Sequence, residues 1–159
     1  QVWGLSTGSL RDRLPLAEEL GVTIALENVW NKFLLSPVEM RQYVDQFDSD
    51  RIGVYFDTGN CLVNGYPEHW MDVLGKRIKA VHVKNYIREN AGGTLAGFGD
   101  DLESGDLNVE AVKAAVHRNG LDGLTYTAEM IPFCRLPDMV LPDAELAEDT
   151  SRKLKTLFG

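Results

Sequence analysis

Four residues in this chain suit the binding of one hard or borderline divalent cation, and each lies at or near the end of a short apolar run. Glu27 follows VTIAL, Asp57 follows RIGVYF, His82 lies within IKAVHVKN, and Glu129 follows GLTYTA. Three carboxylates with one imidazole favour Mn²⁺, Mg²⁺, Co²⁺ or Zn²⁺ over soft Cu(I). Taken singly, each residue also has an ordinary reading. His82 reads as a hydrogen-bonded core imidazole, Glu27 as a loop carboxylate, Asp57 before Thr58 and Gly59 as a turn or helix cap, and Glu129 as the partner of an arginine. Their joint position decides between the readings. In a parallel α/β fold the carboxyl ends of the strands share one rim, where side chains far apart in sequence converge.

The elements that would place them there are four strand-like runs at 22–27, 52–57, 78–84 and 123–129, rich in β-branched residues. A helical pattern follows each one. After the first comes the loop NVWNKFLL, then Ser36 as N-cap, Pro37 as first helical residue and Glu39 in the opening turn. After the second, a helical pattern covers 68–75. The third is followed by a loop at 89–106 with five glycines, a lid or binding loop, and then by a helix over 108–119 that Gly120 ends. An amphipathic helix from about 143 to 158 closes the chain. Ahead of the first strand, 1–12 reads as irregular and 14–20 as a short helix with Pro15 near its start and Gly21 as its stop.

Four βα units in series demand a parallel sheet with right-handed crossovers. Four strands are half of a closed (β/α)8 barrel, which takes about 250 residues. The expected fold is therefore α/β, a half TIM barrel with helices outside, forming a single domain over 1–159.

Composition narrows the function classes. The 159 residues are 44% hydrophobic and 25% charged, with a formal charge of -8, which disfavours nucleic acid and anionic membrane surfaces as partners. An anionic substrate must be met by local groups. Cys61 and Cys134 form no CxxC pattern and have no base partner in the sequence pattern, so neither is read as a nucleophile. No run approaches a membrane span and no signal-like segment opens the chain, so the cytoplasm is the expected compartment. The chain opens on Gln1 rather than Met, which reads as a native start lying upstream.

The segments ALENVWNKFLLSP, VYFDTGNCL, AVHVKN and GDLNVEAVKAAVHRNGLDGLTYTAEM resemble the last four βα units of the sugar phosphate isomerase/epimerase family, the xylose-isomerase-like TIM barrels that include ketose 3-epimerases. The resemblance runs from about Leu14 to the C-terminus and covers half of that fold. It implies that Glu27, Asp57, His82 and Glu129 bind one divalent ion, with Glu27 and Glu129 also acting as the acid/base pair. The implied reaction is isomerisation or 3-epimerisation of a ketose or ketose phosphate, by proton transfer through a metal-stabilised enediolate.

Four further residues are substrate-side candidates. Arg88 matches a substrate-contacting arginine of the ketose epimerases, Asn60 stands where several relatives carry a substrate-binding histidine, Lys84 follows the ligand histidine, and Trp30 can wall the pocket. HVKN replaces the HxKD pattern common in relatives, so the carboxylate expected near the histidine is absent and a backbone carbonyl is expected to orient His82. His69 and His117 read as surface residues.

A four-stranded half leaves two open edges and an uncovered inner face. The expected partner is a second copy closing an eight-stranded barrel as a homodimer, or the N-terminal half of a longer parent. Within the family, inosose dehydratase-like and hydroxypyruvate isomerase-like activities are alternatives. From a different class, the chain reads as a non-catalytic metal-binding half-barrel or assembly module derived from such an enzyme.

Overall fold

The computed structural model describes residues 1–89, 93–99, 101–130 and 144–159. Cys134 and the expected helix start near Asp143 lie outside the described residues. The chain runs α1 (Val2–Leu20), β1 (Ile24–Glu27), α2 (Pro37–Asp45), β2 (Ile52–Asp57), α3 (Thr58–Leu62), α4 (Pro67–Leu74), β3 (Ile78–Val83), α5 (Val109–Arg118), β4 (Thr125–Ala128) and α6 (Ala144–Phe158), with short 3-10 turns at Gly75–Arg77 and Leu95–Gly97. The strands form one parallel sheet in the order β1-β2-β3-β4. This is the expected α/β half-barrel arrangement. None of the described helices is long and apolar enough to cross a membrane.

The two faces of the sheet differ in chemistry because successive side chains point to opposite sides. Ile52, Val54, Phe56, Val81 and Val83 are buried on the outer face. They join one hydrophobic cluster with Met40, Tyr43 and Val44 of α2, Trp70, Met71 and Leu74 of α4, and Val112, Ala115 and Val116 of α5. Burying such side chains stabilises the fold by about 1.5–3 kcal/mol each. The other face carries Glu27, Tyr55, Asp57, His82, Thr125 and Thr127, with both threonines exposed. Polar chemistry is confined to the inner face, and the helices lie against the outer one.

Local signals set several of the boundaries. Ser36 accepts from the Glu39 amide while the Glu39 carboxylate accepts from the Ser36 amide, a complete capping box with Pro37 behind it. Asn108 caps α5 through the Ala111 amide. Gly53 permits a close approach between β2 and β3, since a Cβ there would lie 2.4 Å from Lys79 Cγ. The β2–β3 register shifts beside it, between Val54 and Tyr55.

The N-terminal segment departs from expectation. Residues 1–12 read as irregular in sequence, since Gly4, Ser6, Thr7, Gly8 and Ser9 are weak helix formers, yet α1 runs unbroken from Val2 through Pro15 to Leu20. Tertiary contacts override propensity here. Trp3 packs edge-on to Tyr43 and Phe33, with ring centroids 4.8 and 6.2 Å away, and Ser6 hydrogen-bonds the Tyr43 hydroxyl. Gly21, at φ 66°, ends the helix as expected.

Beyond β3 the chain is held by Asn85, which is buried. Its Oδ1 accepts from the amides of Tyr86 and Leu107 at 2.9 Å each, and its Nδ2 donates to the Leu102 carbonyl at 3.1 Å. Gly105, at φ 146°, makes room for it, because a Cβ there would fall 2.2 Å from Asn85 Oδ1. One amide side chain thus closes the loop that carries Tyr86 and Phe98. Asn85→Ala leaves two buried amides without acceptors and is expected to lower unfolding free energy by about 2 kcal/mol or more, read from urea denaturation.

Candidate metal centre

The four strand-end residues meet. One donor atom each from Glu27, Asp57, His82 and Glu129 lies within 4.8 Å of the others. The set is staggered along the sheet. Glu27 is level with Tyr55, Asp57 with His82, and Glu129 follows Ala128, which is level with Val83. Such a stagger is the shear that closing a barrel requires. His82 turns Nδ1 toward all three carboxylates, 3.1 Å from Glu27 Oε1 and 3.8 Å from both Asp57 Oδ2 and Glu129 Oε2. Glu27, two strands away, bonds this nitrogen, and Tyr55 packs against the ring at a centroid distance of 4.0 Å.

Asp57 satisfies both of its sequence readings, because a carboxylate has two oxygens. Oδ1 caps α3, accepting from the Asn60 amide at 2.6 Å. Oδ2 faces the cluster; it and Glu129 Oε2 are buried, and each is ion-paired to the Lys84 ammonium. Two buried carboxylate oxygens converging on an imidazole nitrogen and sharing one ammonium leave negative charge that a cation would satisfy. Opposed ligands on one ion stand about 4.2–4.8 Å apart, twice a metal–oxygen bond, so the donor set fits a single divalent ion.

The main chain under Asp57 is clamped by Asn28, which is 5% exposed. Its Nδ2 donates to the Asp57 carbonyl at 2.9 Å and its Oδ1 accepts from the Asp57 amide at 2.7 Å. Asn60 extends the clamp by donating from Nδ2 to the Asn28 carbonyl at 3.0 Å, and the Asn60 carbonyl accepts from Trp30 Nε1 at 3.0 Å. Asn28 went unassigned from sequence alone; its position directly after Glu27 was the only signal. Thr58, also buried, ties β2 to β3 by donating to the Lys84 carbonyl at 2.8 Å.

Lys84 is drawn into the centre. It is 4% exposed, and Nζ stands 3.0 Å from Asp57 Oδ2 and 2.5 Å from Glu129 Oε2. Trp30 stacks on Phe98 at 5.2 Å above this region, with Nζ of Lys84 5.0 Å from the Phe98 ring. Arg88 lies elsewhere, its guanidinium 5.1 Å from the Tyr66 ring and Nη2 3.4 Å from the Gly65 carbonyl. It lines a separate cavity of about 260 Å³ with Glu68 and Asp106. Among the described residues Arg88 makes no ion pair. His69 and His117 are exposed, as expected, and burial raises the thiol pKa of Cys61.

Proton affinities follow from these contacts. The hydrogen bond from His82 holds Glu27 below the ordinary carboxylate value, and the same bond raises His82. Burial pushes Asp57 up to about 6 despite the ammonium beside it. Burial also works against the charge on Lys84, but Asp57 and Glu129 outweigh it and hold its pKa above the usual lysine value. The asymmetry is physical. Lys84 is served by two carboxylates, whereas Asp57 is fully buried and shares its one ammonium.

The family model described as a xylose isomerase-like TIM barrel matches residues 3–157. Among solved structures, a D-tagatose 3-epimerase-like protein superposes with a TM-score of 0.70 at 21% identity, over 98% of this chain and 54% of its own. A xylose isomerase-like TIM barrel protein from Mycobacterium smegmatis in complex with magnesium gives 0.70 at 20%, over 99% and 51%. The IOLI protein with a binding zinc atom gives 0.69 at 17%, over 99% and 56%. Identities this low establish the shared fold. The chain spans about half the length of these structures. No curated protein sequence matches it.

The raised Asp57 pKa makes a stability prediction. Protonated Asp57 contributes stability that is complete below its unfolded value of 3.8 and lost as pH rises through about 6. Asp57→Asn, which keeps the helix cap, is expected to stabilise the metal-free chain at pH 7.5 by on the order of 1–3 kcal/mol. Urea unfolding in the presence of chelator reads this, and the difference should vanish below about pH 4.

Proposed function

We propose that this chain, which belongs to the xylose isomerase-like TIM barrel family, carries the cation-binding and proton-transfer half of an isomerase or 3-epimerase acting on a ketose or ketose phosphate. The observation that carries the reading is the four-donor cluster, in which two buried carboxylate oxygens share a single ammonium. Glu27, Asp57, His82 and Glu129 would hold one divalent ion of the Mn²⁺, Mg²⁺, Co²⁺ or Zn²⁺ class. Such an ion supplies Lewis-acid polarisation of a ketose carbonyl, which acidifies the neighbouring carbon.

Accessibility divides the labour among the four residues. The Asp57 side chain is wholly buried and that of His82 is 17% exposed, while Glu27 and Glu129 are 31% and 36% exposed. Only the glutamates can reach a substrate. They also sit at the ends of the two outermost strands, and approach from opposite sides is what epimerisation needs, one group removing a proton and the other returning one. Glu27, held below the ordinary carboxylate value by its bond to His82, would be the ionised partner of the pair. Trp30 and Phe98 would wall the pocket, and Asn60 acts as a brace beneath it. Arg88 reaches substrate in this reading only if its loop rearranges.

The remaining walls would come from a second four-stranded half, supplied by another copy of the chain or by a further segment of polypeptide. The outer edges of β1 and β4 have no strand neighbour among the described residues. Val2, Leu5, Leu16 and Leu20 of α1 are exposed at 59%, 67%, 56% and 63%. At about 100° per residue they fall on one stripe, which suits coverage by such a half.

A second reading is favoured by the half-length match alone: a metal-binding half-barrel or assembly module without catalysis. Calorimetric titration with Mn²⁺, followed by deuterium exchange at the α-carbon of ketoses, separates the two. Glu129→Gln is expected to weaken Mn²⁺ by at least about tenfold and to abolish exchange. Tight binding with no exchange on any ketose selects the module, and no binding removes both. Light scattering on the chain should report a dimer if a second copy supplies the missing walls.

A further inference from the structure

Lys84 lies two residues beyond His82 on the same face of the sheet, so the strand period that brings the imidazole to the rim also brings an ammonium there. A buried lysine is costly unless paired. Its partners are Asp57 Oδ2 at 3.0 Å and Glu129 Oε2 at 2.5 Å. Asn60 Oδ1 at 3.4 Å and the Phe98 ring at 5.0 Å bound the ammonium on other sides. The lysine therefore belongs to the charge inventory of the centre. Three carboxylates face one ammonium, leaving two net negative charges when His82 is neutral.

We propose that Lys84 sets the charge preference of the cation site, matching the donor set to a divalent ion and against a trivalent one. The inference rests on the metal-site reading above and adds a specificity-determining residue to it. Without the ammonium the donor set would hold three negative charges, and every cation would bind more tightly. A trivalent ion gains more than a divalent one, since the removed repulsion scales with the charge of the incoming ion. The ammonium also occupies two of the donor oxygens, so an entering cation must displace it from them, toward Asn60 and Phe98.

The test compares Mn²⁺ and Tb³⁺ binding, by calorimetry and terbium luminescence, in the wild-type chain and in Lys84→Met and Lys84→Gln. Methionine fills the volume beside Phe98, and glutamine keeps a polar contact to Asn60. Circular dichroism identifies which variant keeps the native fold. The expected result is a shift of the Tb³⁺ to Mn²⁺ affinity ratio by at least about tenfold toward Tb³⁺, with Lys84→Arg restoring the wild-type ratio. An unchanged ratio in a folded variant, with cation binding intact, overturns this inference alone, as does a loss of ketose binding with no change in cation preference. If wild type binds neither ion, or Glu129→Gln leaves binding unaltered, the metal-site reading falls and the inference with it.

Discussion

The centre depends on holding the Asp57 carboxylate away from water. A charge at 0% exposure is unfavourable unless its oxygens are served. Oδ1 is served by the α3 amide of Asn60, and Oδ2 by the Lys84 ammonium at 3.0 Å, which it shares with Glu129. The surroundings compensate without closing the gap. Asn28 clamps the main chain on either side, Lys84 supplies a positive charge, and His82 presents a nitrogen at 3.8 Å. Burial nevertheless pushes the pKa of Asp57 up to about 6, a local cost of the kind that functional sites carry.

The sheet makes this cost tolerable by separating two chemistries onto two faces. Phe56 and Val81, neighbours of Asp57 and His82 in sequence, are fully buried against the helices. The period of two then drives the adjacent polar residues to the opposite side. The centre is thus anchored by the core without being part of it. The stagger between strands is equally consequential: Asp57 and His82 stand side by side at one level, with Glu27 two residues short of it on one flank and Glu129 two residues past it on the other.

What the sequence made legible was whatever depends on short-range chemistry. The βα alternation, the capping box at Ser36 and Glu39, the cap at Asn108 and the four candidate donors at the strand ends are encoded within a few residues. α1 was not legible over its first half because its stability comes from Trp3 on Tyr43 and Phe33, contacts that skip some thirty to forty residues and outweigh weak propensity. The bond between His82 and Glu27 was not legible for the same reason, since Glu27 lies two strands away. Lys84 was visible only as a candidate for substrate. That its ammonium would be buried on Asp57 and Glu129 follows from register, which composition and pattern do not specify.

The origin of the donors in different elements couples cation affinity to the integrity of the sheet. Asp57 and His82 come from the two central strands, each flanked on both sides, while Glu27 and Glu129 stand at the ends of strands with one free edge among the described residues. The central pair is fixed by the core. The outer pair is held mainly by the inner cluster itself, Glu27 through the His82 bond and Glu129 through the Lys84 contact. A cation taking all four donors would therefore join β1 to the segment after β4 across the whole sheet. Its binding energy would appear partly as conformational energy of those edges.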